Sequence, residues 1–292
     1  MANIRIIFFD KRFALNDAIG VKHHWRFSLN ALAVDTVLIA IFWQSLISEA
    51  FDIELEYSQQ ILLGTGVWLG YLADRILDGF QITDRIYSAR HYIAFRFRDF
   101  LSLTWVFVLM LAIFFAYHAL SVMDLYKCSV LVIFCVLNSL VNTFDKFGNF
   151  PIPKELRTSV LFASGVFLFV LSGCPKPVTW SWITLLAFTC LCFTNCCYTA
   201  AWDRVMDLRQ GQSSLMLRRK PSLGFMNLLS FSIVFAGIAL SFFVPTHLRL
   251  FFLAIGMAVL THPLVDILIC GSENKRLVAD LGLILSAACC LL

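Results

Sequence analysis

The sequence predicts an all-α polytopic membrane protein, a single bundle of nine spanning helices. Three observations predict it. The 292 residues are 60% hydrophobic and 14% charged, whereas a soluble domain is about half apolar and about a quarter charged. The apolar residues fall into nine segments, each close to the roughly 17–25 residues that cross a bilayer. All but three of the 23 lysines and arginines lie in stretches that would share one side of the membrane, as the positive-inside rule requires.

Residues 1–25 form a polar, basic lead-in, with no cleavable apolar core ahead of the first span. The spans cover approximately 27–48, 58–78, 99–118, 125–142, 157–173, 180–202, 222–244, 247–263 and 277–292. Arg5, Lys11, Arg12, Lys22 and Arg26 precede the first. Clusters around Arg75–Arg98, Lys146–Arg157, Arg204–Lys220 and Lys275–Arg276 follow spans two, four, six and eight. Only Lys127, Lys176 and Arg249 fall on the other side. The bias places the N-terminus and the ends of the even-numbered spans in the cytoplasm. The net charge of +4 thus reflects topology and implies no nucleic-acid partner. Outer connections differ in kind: Glu49, Asp52, Glu54 and Glu56 make the first acidic, and Pro175 and Pro177 break the third. Spans 1–4 and 5–8 fit a parallel repeat, with span nine added.

Two helix ends carry the chemistry. Asn195, Thr199, Asp203 and Asp207 recur every fourth residue and share one helix face. Gly66, Gly70, Asp74 and Asp78 have the same spacing, and Asp74-Arg75-Ile76-Leu77-Asp78 mirrors Asp203-Arg204-Val205-Met206-Asp207. Carboxylates one turn apart at a membrane face need cations, either metal ions or basic side chains. Arg75 and Arg204 project from other sides of their helices, which disfavours simple intrahelical pairing. Carboxylate oxygens are what Mg2+ prefers, completed by water and phosphate oxygens. Gly66 and Gly70 fit both a GxxxG packing stripe and a small-residue wall that leaves room for a substrate above Asp74.

Asp203, Asp207, Gly211, Ser214 and Leu215 fit D-x-x-x-D-x-x-x-G-x-x-[ST]-L. This resembles the second aspartate-rich motif of the UbiA superfamily of intramembrane prenyltransferases. The first stretch resembles that family's N-D-x-x-D-x-x-x-D, with Asp74 and Asp78 as its last two acids. Gly70 and Tyr71 stand where the family has Asn-Asp, and Thr199 and Ala200 at the matching places of the second motif. Nine spans, motifs closing spans two and six, and a Lys-bearing connection after span four also match. The resemblance implies a UbiA-type bundle around a central lipid-accessible cavity. In it, Mg2+ held by Asp74, Asp78, Asp203 and Asp207 binds a prenyl diphosphate. Asn195, Thr199, Gly70 and Tyr71 then border the substrate. Lys146 and Arg157, with Lys154 and Arg85, are candidate donors to the departing diphosphate.

Asp35 lies within span one, about a turn from Asn30, and is either a functional acid or a protonated helix contact. Asp280 sits one turn from Arg276 and suggests a helix-end ion pair. The ten cysteines lack metal-ligand spacing and behave as small hydrophobes. Some of the 29 Phe rings are expected to face a carbocation. The leading expectation is therefore an Mg2+-dependent enzyme passing a prenyl group to an aromatic or other lipophilic acceptor. A related expectation is a terpene cyclase, in which the substrate's own double bonds capture the cation. A non-catalytic scaffold or a transporter is the alternative of another class; acids at helix ends, away from the mid-membrane depth of coupling sites, argue against transport.

Overall fold

A computed structural model describes residues 32–81, 95–144, 150–174, 179–209 and 214–292. The described residues are helical and contain no strand. Nine long helices occur among them: α1 (Val34–Ala50), α2 (Tyr57–Gln81), α3 (Arg98–Ala119), α4 (Val122–Phe144), α5 (Lys154–Gly173), α6 (Thr179–Trp202), α9 (Leu223–Ser241), α10 (Arg249–Leu268) and α11 (Ser272–Leu291). Two short helices, α7 (Arg204–Arg209) and α8 (Leu215–Arg219), follow α6. Each apolar segment of the sequence falls on one long helix. Six helical stretches are long and apolar enough to cross a membrane: α3, α4, α5, α6, α9, and α10 with the single turn of 3-10 helix Thr246–Leu248 before it. The others have visible reasons for falling short. α1 has 17 helical residues, α2 is diluted by Gln59, Gln60 and its glycines, and α11 opens with Glu273, Lys275 and Arg276.

α3 and α4 bury very little against the rest of the chain and turn large apolar side chains outward. Leu101 is the one buried residue in α3, and α4 has none. Phe107, Met110, Phe114, Ile133 and Phe134 stand outward. In water such a surface would be a large liability; against lipid tails it is the expected one.

The core lies where α1, α5, α6, α10 and α11 meet. Trp43 of α1 is at its centre, fully buried, with Phe188 of α6 at 5.0 Å and Phe251 of α10 edge-on at 6.1 Å. Lipid removes most of the hydrophobic drive for such packing, so close fit and satisfied polar groups matter more. Accordingly the indole Nε1 donates to the Leu283 carbonyl of α11 at 3.1 Å. Gly282, beside it, brings α11 tightly against α10. A Cβ there would fall 2.7 Å from Thr261 Cγ2, so this glycine serves packing.

Gly66 and Gly70 do not. Both are exposed, and a Cβ on either meets no described atom within 4 Å. Among the described residues, nothing packs on this glycine pair, and α2 meets α1, α3, α4 and α5.

Side-chain bonds bring the starts of α5 and α11 to one end of the bundle, together with the far ends of α4, α6 and α10. α1, antiparallel to its neighbour α2, starts at the end where α2 finishes. Asp35 is consequently a first-turn residue of α1, its Oδ1 accepting from Thr36 N at 2.8 Å, and not a mid-span acid as the 27–48 span implied. Asn30 and the 1–25 lead-in lie outside the described residues.

Candidate functional site

α6 is apolar until Trp202, and the chain stays nearly helical beyond it. Asp203 N donates to Thr199 O at 3.0 Å, and Asp207 N to Asp203 O at 2.9 Å. The four-residue stripe Asn195–Thr199–Asp203–Asp207 therefore keeps one face through the change from α6 to α7. Both acids are deeply buried, Asp203 at 1% exposure and Asp207 at 6%. The chain then returns through α8, whose N-cap Ser214 accepts from Leu217 N. Gly211 lies outside the described residues.

A buried carboxylate secures that return. Glu155, in the first turn of α5, accepts from Leu215 N at 2.8 Å through Oε1. Leu215 is the last position of the aspartate motif, so α5 is tied to the motif's end. Pro153 caps α5 and sets the chain's direction into it. Sequence reading passed over Glu155; an acid between Lys154 and Arg157 at the start of an apolar span was the available signal.

The cation on Asp203 also comes from elsewhere. Arg276, one turn from Asp280 on α11, reaches across to Asp203. The chain enters α11 through Gly271, whose φ of 84° favours glycine. The adjacent Lys275 donates to Asp266 Oδ1 at 2.7 Å and to the Asp266 carbonyl at 3.0 Å. Asp266 also accepts from Trp202 Nε1 at 2.9 Å and from Asn227 at 3.4 Å. Tyr198 donates to Asn227 Oδ1 at 2.7 Å. One carboxylate thus joins α6, α9, α10 and α11 immediately beside Asp203.

The candidate substrate-facing residues of α6 have partners of their own. Asn195 Oδ1 meets His262 Nε2 of α10 at 3.0 Å. The Thr199 hydroxyl donates to the Asn195 and Cys196 carbonyls of its own helix. His262, fully buried, had no sequence signal beyond being a lone polar residue in an apolar span.

The first acid pair has another setting. Asp74 is exposed at the foot of the open glycine stripe. Asp78 lies on the next turn of α2; its side chain is outside the described set. Tyr71, half-buried, packs edge-on against Phe162 of α5 at 6.4 Å. It is within electrostatic reach of Arg75, Cys192, Cys196 and Asp280, so this end of α2 looks toward α6 and α11. α5 packs on both α2 and α6, and its first turn is tied to the second motif's end through Glu155.

That turn supplies the basic side chains. Lys154 is half-buried at the first residue of α5. Arg157 donates to Asn142 Oδ1 of α4 at 2.7 Å and lies over the Phe150 ring at 4.7 Å. Lys146 and Arg85 fall outside the described residues. All ten cysteines are free. Among the described residues, no three His, Cys, Asp or Glu side chains gather closely enough to hold one metal ion together. The donors at the two ends are nevertheless all carboxylates, the chemistry a hard divalent cation takes, and Arg276 at present holds one of them.

No family model matches the chain, and neither a curated protein nor a solved structure matches it. The functional reading therefore stands on its own residues.

Proposed function

We propose that the protein is a nine-span intramembrane enzyme of UbiA type. It would ionise a prenyl diphosphate and transfer the prenyl group to an aromatic or other lipophilic acceptor. What supports this is that α5, whose first turn carries Lys154 and Arg157, packs on both acid-bearing helices, α2 and α6. A glycine stripe leaves open space above Asp74. The charged headgroup belongs at the polar end and the prenyl chain along the stripe.

Asp74, Asp78, Asp203 and Asp207 would hold Mg2+, which supplies charge neutralisation to the diphosphate. The residues of the chain do the rest. Lys154 and Arg157 donate to the diphosphate oxygens as the carbon–oxygen bond breaks and its electron pair leaves with the diphosphate. Tyr71 and Phe162 offer ring faces to the allylic cation. An acceptor carbon then forms the new bond and gives up a proton. Where no acceptor enters, a double bond of the same chain attacks instead, and the product is a cyclic hydrocarbon or alcohol.

The test is purified protein with Mg2+ and ten-, fifteen- and twenty-carbon prenyl diphosphates, first alone and then with an aromatic acceptor. Consumption only with acceptor supports transfer. Cyclic product without it supports cyclisation. Inertness in every arm removes the enzyme reading and leaves the scaffold or transporter class. Orientation has its own check. Cys270 is exposed in the α10–α11 connection, at the motif end. A membrane-impermeant maleimide should modify it in opened membranes and not in intact cells.

A further inference from the structure

We infer that Arg276 is a diphosphate-binding residue, held on Asp203 when no ligand is present and transferred to phosphate oxygens when one binds. The inference rests on reading the two acidic ends as a diphosphate site. It adds a residue that no motif contains, on a helix that carries neither motif.

Three observations carry it. First, Arg276 is nine-tenths buried and reaches Asp203, the first acid of the second motif, from the opening turn of α11. Second, the pairing leaves one guanidinium donor uncommitted. Its Nη2 engages Asp203, while its buried Nε has no hydrogen-bond partner. A guanidinium carries five donors in a planar fork matched to phosphate. A buried donor without a partner is costly, and a ligand with several anionic oxygens would satisfy it. Third, the backbone at position 276 is fixed independently of Asp203. Gly271 turns the chain into α11, and Lys275 clamps to the side chain and carbonyl of Asp266. If Asp203 takes another cation, Arg276 remains over the site.

The exchange is also reasonable electrostatically. Buried carboxylates one turn apart repel each other, and Arg276 offsets that repulsion through its pairing with Asp203. A diphosphate brings more negative charge than one carboxylate and accepts a bidentate pair, so it draws the fork away from Asp203, which would then be available to hold a metal ion. No bond is made or broken; one charge partner replaces another.

The experiment uses the full chain in lipid nanodiscs and inorganic diphosphate with Mg2+ as the probe. Affinity is read by calorimetry and melting temperature with and without probe. Arg276→Gln should weaken diphosphate binding by about tenfold or more, the cost of a lost charge-assisted contact. Arg276→Lys keeps the charge opposite Asp203 but lacks the fork. It should restore the ligand-free melting temperature while leaving affinity clearly below wild type. Arg249→Gln, an exposed change at the opposite end, should bind as wild type does. If Arg276→Gln folds and binds with wild-type affinity, the inference is overturned. If it does not fold, Arg276→Lys decides: full wild-type affinity overturns the inference, and reduced affinity at wild-type stability supports it. A wild-type protein that binds no diphosphate would remove the underlying functional reading itself, an outcome distinct from the other two.

Discussion

Asp74 and Asp203 occupy equivalent places in near-identical pentapeptides, yet their settings are opposite. Asp74 is exposed beside glycines with nothing packed on them. Asp203 is sealed in, with a guanidinium from α11 on its carboxylate and an Asp266–Lys275 pair beside it. The first end is open and costs little to keep charged. The second is preformed, and its charge is compensated by residues far away in the chain. Identical local spacing fixes which face an acid takes, but the partner, and with it the energetics, comes from tertiary packing.

The largest expected effect separates the two ends by stability alone. Asp203→Asn leaves Arg276 buried without its counter-charge and should cost about 3 kcal/mol. Asp74→Asn, at an exposed position, should cost clearly less, because solvent screens a charge contact there. Equal losses in a denaturation measurement would break the comparison. A smaller effect is expected one residue along. Lys275→Met removes the charged donor from Asp266 and should cost about 2 kcal/mol, since Trp202 and Asn227 still donate to that carboxylate. No loss would mean that the clamp beside Asp203 contributes nothing.

Glycine substitutions sharpen the same contrast at lower cost. Gly282→Ala must displace Thr261 and should lose about 1–3 kcal/mol. Gly70→Ala enters open space and should gain up to about 1 kcal/mol in helix stability. Gly70→Leu should likewise leave melting temperature near wild type while lowering turnover, because it fills the space assigned to the prenyl chain. A large loss of folded protein would return this glycine to a packing role.

The nine long helices were legible because apolar length is a local property, and each expected segment lies on one of them. The shared face of Asn195, Thr199, Asp203 and Asp207 was legible for the same reason. What sequence could not show is what meets that face. Arg276 was assigned to Asp280 because those two are neighbours on one helix; Asp203 is 73 positions earlier and becomes adjacent only when α11 docks on α6. Glu155 was in view as an acid opening an apolar span, but its partner was not, because the bond is to a backbone amide, Leu215 N, which has no sequence signature. Gly66 and Gly70 matched a packing motif, yet the motif cannot say whether a second helix is present. Gly282 belongs to no such motif and makes the close approach.

The central claim is that both acidic ends serve one metal–diphosphate site. It is tested most directly by the ligand-induced rise in melting temperature for wild type, Asp74→Asn and Asp207→Asn, with Mg2+ and a non-hydrolysable prenyl diphosphate analogue. The account predicts a rise in wild type that requires Mg2+ and analogue together and that is lost in both variants. An undiminished rise in both variants, or none in wild type, would contradict it.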